Sequence, residues 1–166
     1  MKNFITLLIF ILLSSNLFAA GSDSSGSSGG GEDVSKSDYK QAVSLIKRAG
    51  KLEKKDKIDK AKKLYSQAFN KLEKAYKSDK KNPDILNYMG FTTRKAGNFD
   101  QAEKYYLKGL SIKPNHNGIN EYLGELYVQT NRIDKANERL EVLKGCNCEE
   151  YGELELIIKT RGTKVY

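Results

Sequence analysis

Cys146 and Cys148 are the only cysteines of the chain and stand one residue apart. That spacing admits three chemistries. In an exported protein two thiols close a disulfide, here in a tight and therefore easily reduced ring. They can also stay apart as thiols of a spacer loop. A redox or soft-metal site is the third reading, but a metal needs further ligands, and Asn147 and Glu149-Glu150 are poor partners for a thiolate-selected ion. His116, the single histidine, lies in the connection Pro114-Asn115-His116-Asn117. No nucleophile or second ligand sits at useful spacing, so a loop or helix-cap role is expected. Glu121 and Glu125 are four apart and share one face of a helix, where paired carboxylates can act as acid and base. The chain has no P-loop, GxGxxG, GxSxG or HExxH run. No cofactor or metal is expected, and catalysis has little to rest on.

The elements that must position these residues repeat. Tyr88-Met89-Gly90 and Tyr122-Leu123-Gly124 are 34 residues apart, as are Phe99-Asp100-Gln101-Ala102 and Ile133-Asp134-Lys135-Ala136. A period in the low thirties marks a stack of units, none of which buries its own apolar face. Such stacks offer extended binding surfaces and seldom do chemistry.

Three segments read as bends between paired helices: Asp56 to Ala61, Gly97 to Ala102 and Asn131 to Ala136. Asp56, Gly97 and Asn131 are residue types that adopt positive φ and end a helix. Asp59, Asp100 and Asp134 follow near the start of the next helix, where its dipole favours a negative charge. Apolar stripes at helical spacing run through Ala42, Ile46 and Ala49, through Ile85, Leu86 and Met89, and through Ile119, Leu123 and Leu126. Pro83 stands where a helix can begin.

From Ala61 to Ala102 the interval is 41 residues, seven more than the period. Seven residues are two turns, so one long helix from about Ile58 to Ser78 keeps its face inward. Its extra turns should project beyond the stack and carry Lys71, Lys74, Lys77, Lys80 and Lys81. Tyr151, Leu154, Ile157 and Ile158 form the stripe of a seventh, capping helix, near Glu149 to Lys159. We expect an all-α stack of antiparallel helix pairs, about three repeats plus the cap, over residues 35–160. Residues 161–166 form a tail.

Ahead of it, Met1-Lys2-Asn3 is a basic start, Phe4 to Leu13 is apolar apart from one threonine, and Leu17-Phe18-Ala19-Ala20 ends in small residues. This is the pattern of a secretory leader, residues 1–19, whose ten-residue apolar run is too short for a spanning helix; an uncleaved anchor is the lesser alternative. The Gly/Ser-rich residues 20–34 read as a flexible linker. A periplasmic location follows as an expectation, with no membrane span once the leader is removed. The net charge of +8 is uneven: residues 47–81 carry +9 and residues 115–166 carry −2. Basic helix faces are commonly plain solvated surface, although an anionic envelope component or acidic protein could use them. Nucleic acid is not expected behind a secretory leader.

The repeat resembles the tetratricopeptide repeat (TPR) family. The second unit gives Leu86, Met89-Gly90, Thr93, Ala102, Tyr106 and Pro114; the third gives Asn120, Leu123-Gly124, Tyr127, Ala136 and Leu140. The first is looser, with Leu45, Arg48-Ala49, Leu52, Ala61 and Tyr65. The short Cys-Glu-Glu-Tyr run before the cap is similar to the end of small exported bacterial members. The resemblance implies a concave groove built by the first helix of each pair and a protein or peptide as partner. The matching groove positions are Asp84, Asn87, Phe91, Arg94, Lys95, Glu121, Glu125, Val128 and Gln129. Members that capture a chaperone's terminal carboxylate use Lys and Arg where this chain has Glu121 and Glu125, which would repel one. A mixed groove implies a peptide bearing both charges. Three functions therefore compete: a peptide-binding scaffold of the cell envelope, a thiol-redox or metal-handling protein using Cys146 and Cys148, and a binder of anionic envelope material through the lysine-rich helix.

Overall fold

The computed structural model describes residues 30–162, with side chains from Ser35 onward. The leader and most of the linker lie outside the described residues. Seven helices follow in order: α1 (Gly30–Glu53), α2 (Ile58–Ser78), α3 (Pro83–Lys95), α4 (Phe99–Ile112), α5 (Asn117–Gln129), α6 (Ile133–Leu143) and α7 (Glu149–Lys159). Among the described residues there is no strand, and no helix is long and apolar enough to cross a membrane.

The bends close as their residue types dictate. Asp56, Gly97 and Asn131 all have positive φ. At each, two backbone bonds fold the helix end back on itself: Lys57 to Leu52 and Asp56 to Glu53, Asn98 to Thr93 and Gly97 to Arg94, Arg132 to Tyr127 and Asn131 to Val128. These paired bonds satisfy carbonyls that a helix end otherwise leaves open. Arg161 and Gly162 repeat the device after α7. At the other ends, Asn82 and Asn98 accept from backbone N–H groups of α3 and α4, with Pro83 in the first turn of α3.

Apolar faces close two core clusters. One joins Ala42, Ile46, Ala49, Ala61, Tyr65, Leu72, Ile85 and Met89 across α1 to α3. The other joins Ala102, Tyr106, Ile119, Leu123, Leu126, Ala136 and Ile157 across α4 to α7. The odd-numbered helices approach one another along the stack, whereas the backbones of α2, α4 and α6 do not. The odd helices therefore form the inner, concave layer. Side chains bridge the outer one, with Phe69 against Tyr105 and Lys108 over Tyr76.

Three details differ from the sequence expectation. Helix α1 starts at Gly30, inside the segment that composition assigns to the linker. The long α2 has the expected span, but its extra turns do not project alone, because α1 is equally extended. Leu72 and Ala75 are fully buried, the Ser35 hydroxyl donates to the Ala75 carbonyl, and Lys71 pairs with Asp38 at 2.9 Å. Lys74, Lys77, Lys80 and Lys81 remain exposed.

The third detail concerns Gly90 and Gly124, which the repeat leads us to expect as contacts between paired helices. A Cβ on Gly90 would collide with the ring of Tyr106 in the paired helix α4, as helix-pair contact requires. A Cβ on Gly124 would instead meet Leu154 of α7. Where the second repeat has Tyr106, the third has the shorter Leu140, only partly buried, and the cap supplies the missing volume. The cap is thus keyed into the third repeat.

Candidate functional site

The concave layer concentrates its chemistry where α1, α3, α5 and α7 converge beside Tyr65 of α2. Phe91, Arg94 and Lys95 are three and four apart on the last turns of α3, so they share a face. The same spacing brings Glu121, Tyr122, Glu125 and Gln129 together on α5. Between these faces lies a pocket of about 290 Å³, closed by Glu53 from α1 and Glu153 from α7.

Arg94 is the pivot. Its side chain is only 4% exposed and pairs with the equally buried Glu125 at 2.5 Å. One guanidinium nitrogen, Nη1, donates to Gln129 Oε1 at 3.2 Å. The guanidinium carbon lies 5.6 Å from the Phe91 ring centre and 5.7 Å from that of Tyr122, a cation held between two aromatic faces. Burial alone would lower its pKa, but the Glu125 carboxylate outweighs that and holds it above the ordinary arginine value. The Tyr106 hydroxyl is buried nearby, and burial, the largest effect, pushes its pKa up while Arg94 opposes the rise.

Lys95 makes the second matched pair. Its Nζ lies 2.7 Å from Glu53 Oε2 and sits over the rings of Tyr65 and Phe91. The Tyr65 hydroxyl donates to the same Glu53 oxygen at 2.9 Å, and burial followed by this bond pushes the phenol pKa up.

Glu121 has no such match. It is 3% exposed, and no Lys or Arg pairs with it or with Glu153 among the described residues. Burial pushes its pKa up to about 10, aided by a hydrogen bond to Glu153 and by the charges of Glu125, Glu153 and Glu150. Glu121 is therefore held toward its protonated form. A carboxyl group kept neutral in this way is a held donor.

A larger cavity, about 400 Å³, opens beside α2 at the turn between α3 and α4, near Ser66, Phe69, Thr92 and Gln101. It holds no acidic side chain, and the charged contacts converge on the concave pocket instead. A model of the tetratricopeptide repeat matches residues 89–116, from the middle of α3 through α4 to the cap of α5. Residues 89–116 match a tetratricopeptide repeat, and the helix stack has the TPR fold.

Solved structures agree with that fold. A thermophilic TPR protein from Thermus thermophilus superposes with a TM-score of 0.53 at 20% identity, over 62% of this chain and 52% of that one. The present chain thus spans about half the length of that relative. The Yersinia enterocolitica type III secretion chaperone SycD, solved with a peptide of the translocator YopD, is 16% identical, with a TM-score of 0.45 over 72% of this chain and 88% of that one. The second TPR domain of human RPAP3, solved with an HSP70 peptide, is 17% identical, with a TM-score of 0.45 over 74% and 98%. No curated protein sequence matches the chain.

Within this TPR stack the nine groove positions read from the sequence divide. Phe91, Arg94, Lys95, Glu121, Glu125 and Gln129 line the one pocket. Asp84 stands at the opposite end of α3 and accepts from His116 Nε2 at 2.9 Å. Asn87 is buried beside Gly118, and Val128 is buried in the second core cluster. Those two point inward because they fall on the packed side of their helices. His116 caps α5: its Nδ1 accepts from the Ile119 N–H at 3.2 Å, so the ring proton sits on Nε2, facing Asp84.

Sequence reasoning missed Glu53, Tyr65, Tyr122 and Glu153 as pocket residues. Tyr122 carries a usable sign, since it matches Tyr88 one period earlier; the other three lie on elements that meet α3 and α5 only through the fold. Cys146 and Cys148 are joined as a disulfide in the connection between α6 and α7, where Gly145 and Asn147 take positive φ. No group of three His, Cys, Asp or Glu that could hold a metal occurs among the described residues.

Proposed function

We propose that this chain is a non-enzymatic, exported scaffold that holds a segment of another protein in its concave groove and serves assembly in the cell envelope. The leader, residues 1–19, directs it to the periplasm, and the Gly/Ser-rich run behind it gives the repeats reach. One observation carries the binding reading: a pocket on the concave face whose half-buried aromatic walls, Phe91 and Tyr122, are fixed in place by Arg94. Rigid aromatic surface backed by buried ion pairs is the construction of an interaction hot spot, because little order is lost when a partner docks. Tyr39 against Tyr88 continues the row of half-buried aromatics along the same layer.

The test is capture of partners from the envelope of the source cell with the full chain and with Phe91→Ala/Tyr122→Ala. Both side chains are only half buried, so the variant should keep its helical spectrum. We expect the double variant to lose at least tenfold of the captured partner. Capture at the same level by both forms would refute the groove as the binding face.

A further inference from the structure

Resting on that reading, we infer that the groove pocket selects a segment presenting a long cationic side chain, Lys or Arg, whose charged head docks against Glu121 and Glu153. Sequence alone implies a partner bearing both charges, because the groove contains both. The pairing of those charges changes the answer. Arg94 is consumed by Glu125 and Lys95 by Glu53, each at ion-pair distance and each held against aromatic rings. Both charges are thus matched within the chain, although the buried Arg94 Nε has no hydrogen-bond partner among the described residues. Lys54, exposed at the rim in the turn after α1, is the remaining cation of the lining.

The acids are not balanced in the same way. Glu121 is almost wholly buried yet receives no donor from Lys, Arg, backbone or amide among the described residues; its hydrogen-bonding neighbour is another acid. The groups facing it are Glu125 on its own helix, Glu150 and Glu153 from α7, and the phenols of Tyr88, Tyr106 and Tyr122. None of them is positive. A buried carboxyl beside a half-buried one, with no cation, is costly unless a proton or a cation satisfies it. In the free chain a proton does so. An ammonium or guanidinium entering the pocket would satisfy both carboxylates at once through charge-assisted hydrogen bonds. At about 290 Å³ the pocket is at the small end of ligand sites, suited to one side chain. The walls offered to its aliphatic stem are the rings of Phe91 and Tyr122, against which long charged side chains lie readily.

Docking then exchanges a proton for a cation. The shared proton leaves to solvent as the ligand's charge takes its place, so affinity rises with pH until the ligand's own amine begins to deprotonate near pH 10. An acidic ligand would show the opposite trend.

Two acetylated, amidated peptide pools test this, each of the pattern Gly-Ser-apolar-X-apolar-Ser-Gly, with X as Lys in one and Glu in the other. Binding to the full chain is followed by fluorescence anisotropy at pH 6 and pH 8.5. We expect the Lys pool to bind at least tenfold more tightly than the Glu pool at pH 8.5, and the preference to shrink severalfold at pH 6. Glu121→Gln, which mimics the protonated acid and should fold normally, is expected to erase the preference; Glu153→Gln provides the same test from α7. Equal affinity for both pools, a preference for Glu, or an undiminished Lys preference in both variants would overturn the cationic assignment while leaving groove binding intact. Failure of both pools to bind would overturn the groove reading together with it.

Discussion

Arg94→Met is expected to cost about 3–5 kcal/mol of folding stability, measured by urea unfolding, because it leaves Glu125 buried and uncompensated. The arginine side chain is 4% exposed and its partner 6%. The loss is not confined to one ion pair: the Gln129 bond and the stacking between Phe91 and Tyr122 depend on the same guanidinium. Removing both charges tells a different story. Arg94→Met/Glu125→Leu should regain most of the stability, since a buried pair replaced by apolar side chains of similar size is often close to neutral. If the double variant is as unstable as the single one, the buried charge is not the cause. If stability is regained, the pair's role lies in groove shape, and the double variant should still fail to retain envelope partners.

Truncation before Glu149 should have an effect of similar size. Helix α7 covers the second core cluster with Ile157 and seats Leu154 against Gly124. Losing the burial of those two side chains is expected to remove about 3–6 kcal/mol. It also bares the apolar faces of Leu123 and Leu126. The melting temperature should fall by about ten degrees or more, with aggregation on heating. An unchanged melting temperature and full solubility would show that the third repeat closes itself and that α7 is not a cap.

Much of the fold is legible in the residues because its signals are local. Asp56, Gly97 and Asn131 announce their bends through the φ values they tolerate, and the apolar spacing of Ile58, Ala61, Tyr65, Ala68, Leu72 and Ala75 defines α2 within the chain itself. The 34-residue offset places α3 to α6, and the stripe around Leu154 places α7. What escapes is set by partners far apart in sequence. The match of Lys71 to Asp38 and of Lys95 to Glu53 depends on how α1 lies on α2 and α3. Gly124 looks identical to Gly90 in sequence, yet the side chain that fills its hollow comes from the next element. The start of α1 escapes for another reason, since a Gly/Ser-rich composition gives no helical periodicity to read.

The candidate site follows the same division. The helical face shared by Phe91, Arg94 and Lys95, and that shared by Glu121 and Glu125, follow from spacing alone. Which charges neutralise one another does not. That pairing decides the sign of the ligand, because it leaves the acids of α5 and α7 as the ones without a counterpart.

The concave face as the binding face is tested most directly by photo-crosslinking in the cell envelope. A benzoyl-phenylalanine placed at Phe91 reports on the groove, and one placed at Leu107, on the exposed side of α4, reports on the outer layer. We predict a discrete adduct from position 91 that disappears with Tyr122→Ala, and none from position 107. An adduct from position 107 with none from position 91 would contradict the account.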